Sequence, residues 1–95
     1  MTAVPPRRLA RELALQILYQ CELSQHTVPE VLEHFTEWEG AKETVREFAM
    51  ELVEGVRTHM EELDRRLGAV AENWSLDRMA PLDRLVLRIG AFELL

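Results

Sequence analysis

Ninety-five residues with 47% hydrophobic and 29% charged side chains suit one small folded domain and exclude an intrinsically disordered chain. A formal net charge of −6 is atypical of a protein coated with nucleic acid, although a local basic site is compatible with it. A single cysteine, Cys21, excludes a disulfide framework, and no apolar run approaches the ~20 residues of a membrane span. We expect a soluble, cytoplasmic protein without a metal or a cofactor.

The first predicted helix runs from about Pro6 to about Leu23, with its proline in the first turn, where the missing N–H is not needed. At about 100° per residue, one sector of this helix is apolar and faces the core: Leu9, Ala10, Leu13, Ala14, Ile17 and Cys21. A second group lies on the opposite side: Arg8, Arg11, Leu15 and Tyr19. The sequence thus predicts one core face and one face that mixes arginines with apolar side chains.

The arginines at the start of this helix are not explained by helix stability. Arg7, Arg8 and Arg11 precede any carboxylate, and cations at a helix N-terminus oppose the macrodipole, so stability alone does not select them. Arginine near an aromatic such as Tyr19 is typical of contacts with phosphates and stacked bases. The alternative is a solvated basic surface, with Leu15 and Tyr19 packed under a neighbouring element. Of these two interpretations, we favour the binding of an anionic partner.

The middle of the chain contains two further helical patterns. Thr27 heads the segment TVPE, a capping box that predicts a helix start, and this helix is expected to end at Gly40. From Ala41 to Trp74 the apolar residues recur with a period near 3.6, which predicts a long helix. Because globular helices are shorter than this on average, we expect a change of direction at Gly55 and the "RTH" after it.

The last helix follows the segment NWSLDRMAP, in which Ser75 can cap a helix and Pro81 suits a first turn. It runs to the final residue without a stop signal. We therefore expect a fold that is incomplete at its C-terminal side, with the apolar side of this helix either exposed or covered by a second copy of the chain.

Motifs that carry catalysis or metal binding are absent. The chain has no glycine-rich phosphate loop, no G-x-S-x-G and no H-E-x-x-H. His26, His34 and His59 are not spaced as ligands on one helix face, and the carboxylate pairs lie on polar helix faces. We expect that the protein is not an enzyme.

Three segments together resemble the NusB family of bacterial transcription antitermination factors: RRLARELALQILYQ, FAMELVEGVRTHMEELDRRL and NWSLDRMAPLDRLVLRIGAFELL. The resemblance covers Arg7 to Leu95. It implies an all-α helical-bundle fold, with an N-terminal three-helix bundle at about 1–58 and an incomplete C-terminal bundle at about 59–95. It also implies binding of single-stranded boxA RNA together with NusE, a small-subunit ribosomal protein, within the antitermination complex of RNA polymerase.

The same resemblance implies site residues. The positions that match the RNA-binding segments of the family are Arg7, Arg8, Arg11, Gln16 and Arg84, with Gln16 the weaker candidate. Tyr19 and Asp83 match positions on the NusE side. Two alternatives stay open for Arg88, which could contact a partner or anchor a salt bridge between the bundles.

Two functions from other classes remain as alternatives. The first is an RNA-targeting domain of a ribosomal RNA cytosine methyltransferase, since some of these enzymes carry a NusB-like helical domain. The second is a helical protein-interaction module without RNA binding, for which neutralising the arginines of the first helix would leave function intact. A homodimer is a further possibility.

Overall fold

The computed structural model describes residues 6–70 and 76–94. Within these ranges every regular element is helical, which confirms the predicted all-α class. The α-helices, labelled in chain order, are α1 Pro6–Ser24, α2 Val28–Glu33, α3 Thr36–Gly40, α4 Glu43–Thr58, α5 Met60–Val70 and α6 Pro81–Leu94. A short 3₁₀ turn at Leu76–Arg78 precedes α6.

The core lies where α1 meets α4 and α6. Helix α1 packs most extensively along α4, α6 lies against both, and α2 and α5 pack against α1 and α6 respectively. The apolar side chains buried in this core are Ala10, Leu13, Ala14, Ile17, Leu18, Val28, Val45, Ala49, Leu52, Val53, Val56, Leu63, Leu85 and Ile89. Removing such side chains from water is the main favourable contribution to folding.

The predicted core face of the first helix is largely confirmed. Ala10, Leu13, Ala14 and Ile17 are buried, and two residues at the edge of the predicted sector, Leu9 and Cys21, are half-buried. Leu18, which the wheel did not assign to the core, is also buried, at 4% exposure. The reason is that α6 covers a second flank of α1, which the pattern of a single helix cannot reveal.

The capping box at the start of α2 is confirmed. The hydroxyl of Thr27 accepts a hydrogen bond from the Glu30 N–H at 3.4 Å, and a Glu30 carboxylate oxygen accepts one from the Thr27 N–H at 3.3 Å. Two backbone donors that a helix start leaves unpaired are therefore satisfied by the sequence of this short segment.

The expectation of one helix as far as Gly40 is wrong. Helix α2 ends at Glu33, and α3 begins at Thr36. The N–H groups of His34 and Phe35 bond to carbonyls three residues back, at 3.2 and 3.3 Å, instead of four. These tighter bonds turn the chain at the end of α2, so the apolar spacing continues across a break.

The expected change of direction in the long helical segment is confirmed at "RTH". Helix α4 ends at Thr58 and α5 begins at Met60, with His59 between them at φ −106° and ψ 18°. Gly55 itself lies inside α4, so the break is four residues after it. Its role is different: a Cβ at Gly55 would overlap the ring of Phe92 on α6, which lets the two helices approach closely.

Parts of two expectations lie outside the described residues, namely those that concern Trp74, Ser75 and the final Leu95. The described start of the last helix, Pro81, is confirmed. In residues 6–70 and 76–94, the helices fall short of the length and apolar character that crossing a bilayer requires.

Candidate nucleic-acid interface

The first turns of α1 present two exposed arginines, Arg7 and Arg8. The guanidinium carbon of Arg7 lies 5.0 Å from the centroid of the Phe48 ring on α4, in cation–π geometry. Arg8 lies 3.5 Å from the carboxylate of Glu12 one turn later, and both side chains are more than half exposed. Such exposed pairs contribute little to stability, so both cations remain available to a ligand.

Arg11 is tied to the last helix. Its Nε donates a hydrogen bond to a carboxylate oxygen of Glu93 on α6 at 2.7 Å. This hydrogen bond, together with the negative charge of Glu93, raises the pKa of Arg11 above its usual value. The side chain is 45% exposed, so part of the guanidinium still faces solvent. Arg11 therefore combines a structural contact with a position next to Arg7 and Arg8.

Arg84 lies at the other end of the α1–α6 pair. Its Nη2 donates to Glu22 and its Nη1 to the carbonyl of Leu76, both at 3.4 Å, and its side chain is 20% exposed. Its Nε is buried and has no acceptor within the described part of the chain. Arg84 contacts Glu22, which lies 14 residues after Arg8. Arg84 and Arg8 are therefore separated along α1 by roughly 21 Å. The structure therefore does not bring Arg84 together with the arginines of α1.

The remaining candidates occupy other parts of the surface. Gln16 is exposed and lines a cleft of about 480 Å³ between α1 and the α2–α3 segment, together with Gln20 and Phe35. Tyr19 is half-buried against the core, which agrees with the alternative that it packs under a neighbouring element. Asp83 is exposed in the first turn of α6.

Arg88 forms a structural salt bridge, but its partner lies on α5, within the segment 59–95 assigned to the C-terminal bundle, and so the bridge does not join the two bundles as one alternative had it. Its Nε and Nη2 donate to the two carboxylate oxygens of Asp64 on α5, at 2.7 and 2.8 Å. The Arg88 side chain is 10% exposed, and this hydrogen bonding raises its pKa. The pair holds α5 against α6.

Sequence reasoning missed the partners of these arginines. Phe48, Glu93, Asp64 and Glu22 each contact an arginine on a different helix, between 24 and 82 residues away for the ion pairs. No local pattern signals such contacts, because each depends on how two helices cross. Among the residues that the structure describes, no group of three His, Cys, Asp or Glu side chains could hold a metal ion.

A small all-α bundle whose first helix begins with exposed arginines belongs to the class of helical binding modules. Comparison with known proteins identifies the family within this class. The NusB family profile matches residues 8–95. The chain belongs to the NusB family.

Relatives named "Transcription antitermination protein NusB" support this assignment. The protein of Myxococcus xanthus is 47% identical over 93% of this chain and 66% of its own length. That of Bacillus subtilis is 41% identical over 93% of this chain and 64% of its own length. The chain therefore spans about two thirds of the length of these relatives.

A solved structure described as "Crystal Structure of a Plectonemic RNA Supercoil" contains a similar chain. The TM-score is 0.82 at 30% sequence identity, and the match covers 97% of this chain and 67% of that one. The helical arrangement described above is thus shared with a chain of that crystal structure.

Proposed function

We propose that this chain binds single-stranded boxA RNA together with NusE and thereby takes part in the antitermination complex of RNA polymerase in the cytoplasm. The observation that carries the proposal is the exposed pair Arg7 and Arg8 at the N-terminal end of α1. Cations at this helix end oppose the macrodipole, and no buried carboxylate compensates either of them among the described residues. The names of the relatives support the same function.

The proposed RNA contacts differ in how far their side chains are exposed to solvent. Arg7 and Arg8 are the principal contacts because their guanidinium groups are exposed. Arg11 contributes the part of its guanidinium that Glu93 leaves open. Gln16 is a weaker contact further along α1. Arg84 is a peripheral one, since only a fifth of its side chain is exposed.

NusE is the proposed protein partner, with Tyr19 and Asp83 on its side of the complex. The chain is acidic overall, with a formal net charge of −6, whereas ribosomal proteins are usually basic, so the charges are complementary. A few phosphate contacts alone bind weakly and lose affinity as salt rises. The partner supplies the remaining affinity.

The organisation of the chain is also part of the proposal. We place an N-terminal bundle at about 1–58 and the start of a C-terminal bundle at about 59–95. The observed end of α4 at Thr58 agrees with this boundary. We also propose that the free chain forms a homodimer through the exposed apolar side chains of α6, which sedimentation of the free chain tests.

Fluorescence anisotropy tests the function. A labelled boxA-like single strand and a scrambled strand are titrated with the chain, with and without NusE, over a range of salt concentrations. The variant is Arg7→Ala/Arg8→Ala, and its matched control is Arg65→Ala/Arg66→Ala, an arginine pair on α5 that lies beside Glu62.

We expect binding that prefers boxA, tightens with NusE and weakens in the α1 variant far more than in the α5 control. Each phosphate contact that the variant loses lowers the slope of log affinity against log salt by about 0.7 for a single strand. Equal binding of both strands with and without NusE would overturn the proposal.

A further inference from the structure

Three arginines, Arg7, Arg8 and Arg11, form a basic rim at the start of α1. Arg7 differs from the other two in the kind of side chain that it contacts. Arg8 and Arg11 lie beside the carboxylates of Glu12 and Glu93. The described partner of Arg7 is the aromatic ring of Phe48, 5.0 Å from ring centroid to guanidinium carbon. The ring neutralises no charge and accepts no strong hydrogen bond, so the N–H groups of Arg7 stay available.

Phe48 is anchored well enough to orient a side chain. It lies on α4 between two buried residues of the core, Val45 and Leu52, which are three and four positions away, and it packs against the core itself while remaining half-exposed. The Phe48 side chain is therefore anchored on the bundle, and Arg7 lies over its ring. Attraction between the cation and the ring restricts the positions that the guanidinium of Arg7 adopts.

A guanidinium held in this way suits a nucleobase. It is planar and weakly hydrated, and it stacks on flat π systems, whereas a lysine ammonium is a compact, strongly hydrated charge. Arg7 is exposed, so its side away from Phe48 faces solvent. Unpaired bases of single-stranded RNA are commonly held by stacking on aromatic rings or on arginine planes.

We propose that Phe48 is a positioning residue that holds Arg7 as a stacking platform for one unpaired nucleobase of the bound RNA. This inference rests on the proposed RNA binding and adds to it a division of labour within the rim. Arg8 and Arg11 act through charge on the phosphates, whereas Arg7 acts through its plane on a base.

The test uses a boxA-like single strand in which one adenine at a time is replaced by the fluorescent base 2-aminopurine, whose emission falls when it stacks. The first variant is Phe48→Leu, which keeps apolar volume in the core and removes the ring. Phe48→Tyr restores a ring and serves as its matched control. Arg7→Lys keeps the charge at the exposed position without the plane, and Arg65→Lys on α5 controls for the same exchange elsewhere.

We expect Phe48→Leu and Arg7→Lys to weaken RNA binding by about three- to tenfold and to abolish the emission change at one strand position. The dependence of affinity on salt should stay that of the parent chain, because neither variant removes a charge. Phe48→Tyr and Arg65→Lys should bind as the parent does. Arg7→Lys lies on the surface, so its result stands even if Phe48→Leu unfolds the chain.

Two results would overturn the platform while leaving RNA binding intact. One is parental affinity and parental emission change in Arg7→Lys. The other is a loss of affinity in that variant with the parental emission change retained at every labelled position, which would mean that Arg7 acts through charge placement alone. Absence of boxA binding by the parent chain would instead refute the proposed function, and the platform with it.

Discussion

Arg88 on α6 is held by both carboxylate oxygens of Asp64 on α5, at 2.7 and 2.8 Å, in a two-point salt bridge. The two ends of this bridge differ in exposure. The Arg88 side chain is 10% exposed and that of Asp64 is 33% exposed. The arginine therefore depends on the carboxylate more than the carboxylate depends on the arginine.

This difference predicts unequal effects of removing either partner. Asp64→Ala leaves a nearly buried cation without its acceptors and should lower the free energy of unfolding by about 1.5–3 kcal/mol. Arg88→Met leaves a carboxylate that water can reach, and its cost should be clearly smaller. Urea denaturation followed by circular dichroism measures both, with Arg65→Met on the exposed side of α5 as the control. Equal losses in the two variants would contradict this account.

The contact between Gly55 and Phe92 predicts that a methyl group is not tolerated at position 55 of α4. Gly55→Ala places a Cβ where the Phe92 ring lies, and such overpacking costs about 1–3 kcal/mol, offset in part by the better helix propensity of alanine. Gly68→Ala in α5 meets no atom within 4 Å and should stabilise the chain by up to about 1 kcal/mol. Thermal unfolding separates the two. Stabilisation by Gly55→Ala would show that the two helices lie further apart.

The ion pair between Arg11 and Glu93 predicts a gain of RNA affinity when the carboxylate is neutralised. Glu93→Gln frees the guanidinium of Arg11 and removes a negative charge beside the arginines that are proposed to contact the RNA phosphates. Binding of the boxA-like strand should tighten by up to about fivefold at low salt. Glu61→Gln, an exposed position on α5, changes the net charge equally and is the control. If both variants tighten binding equally, Arg11 is not a specific contact.

The Thr27–Glu30 capping box predicts a dependence of stability on pH. Hydrogen bonds from Thr27 lower the pKa of Glu30 below its ordinary value of 4.5. A lowered folded-state pKa means that this contribution is present above 4.5 and is lost as the pH falls through the folded value. Thr27→Ala should cost about 1 kcal/mol at neutral pH and less in acid.

Urea titrations at neutral and acidic pH measure this difference, with Thr44→Ala at an exposed helical position as the control. A cost that is the same at every pH would mean that the hydroxyl caps the helix without help from the ionised carboxylate of Glu30.

The half-buried thiol of Cys21 should react slowly. Burial raises its pKa above 9.0, and the nearby cation of Arg57 lowers it by a smaller amount. The rate of alkylation by iodoacetamide, measured against pH, should therefore give an apparent pKa above that of the denatured chain, because the thiolate is the reactive form. Arg57→Ala should shift the profile further up. A profile below the denatured one would contradict the burial of this thiol.

Local signals determined most of the fold. The period of 3.6 in the apolar residues, the capping box at Thr27 and the proline at position 81 depend on residues a few positions apart, so they predicted the helices, and two of their start points, directly. The exposure of Arg8 was also predicted from the sequence, because a helix wheel places it opposite the apolar sector, whereas Arg7 was singled out by its place at the helix start and by the family resemblance.

Only the tertiary structure decided which of these side chains are bound to another helix. Leu18 is buried, and Arg11 and Arg84 are paired, because α6 runs antiparallel along a flank of α1 that the wheel did not assign to the core. Arg88 likewise has a structural role, because α5 packs against α6 and places Asp64 beside it. The energies that determine a helix are local, whereas ion pairs and close packing between helices arise from how two distant segments cross, and the sequence of neither segment contains that angle.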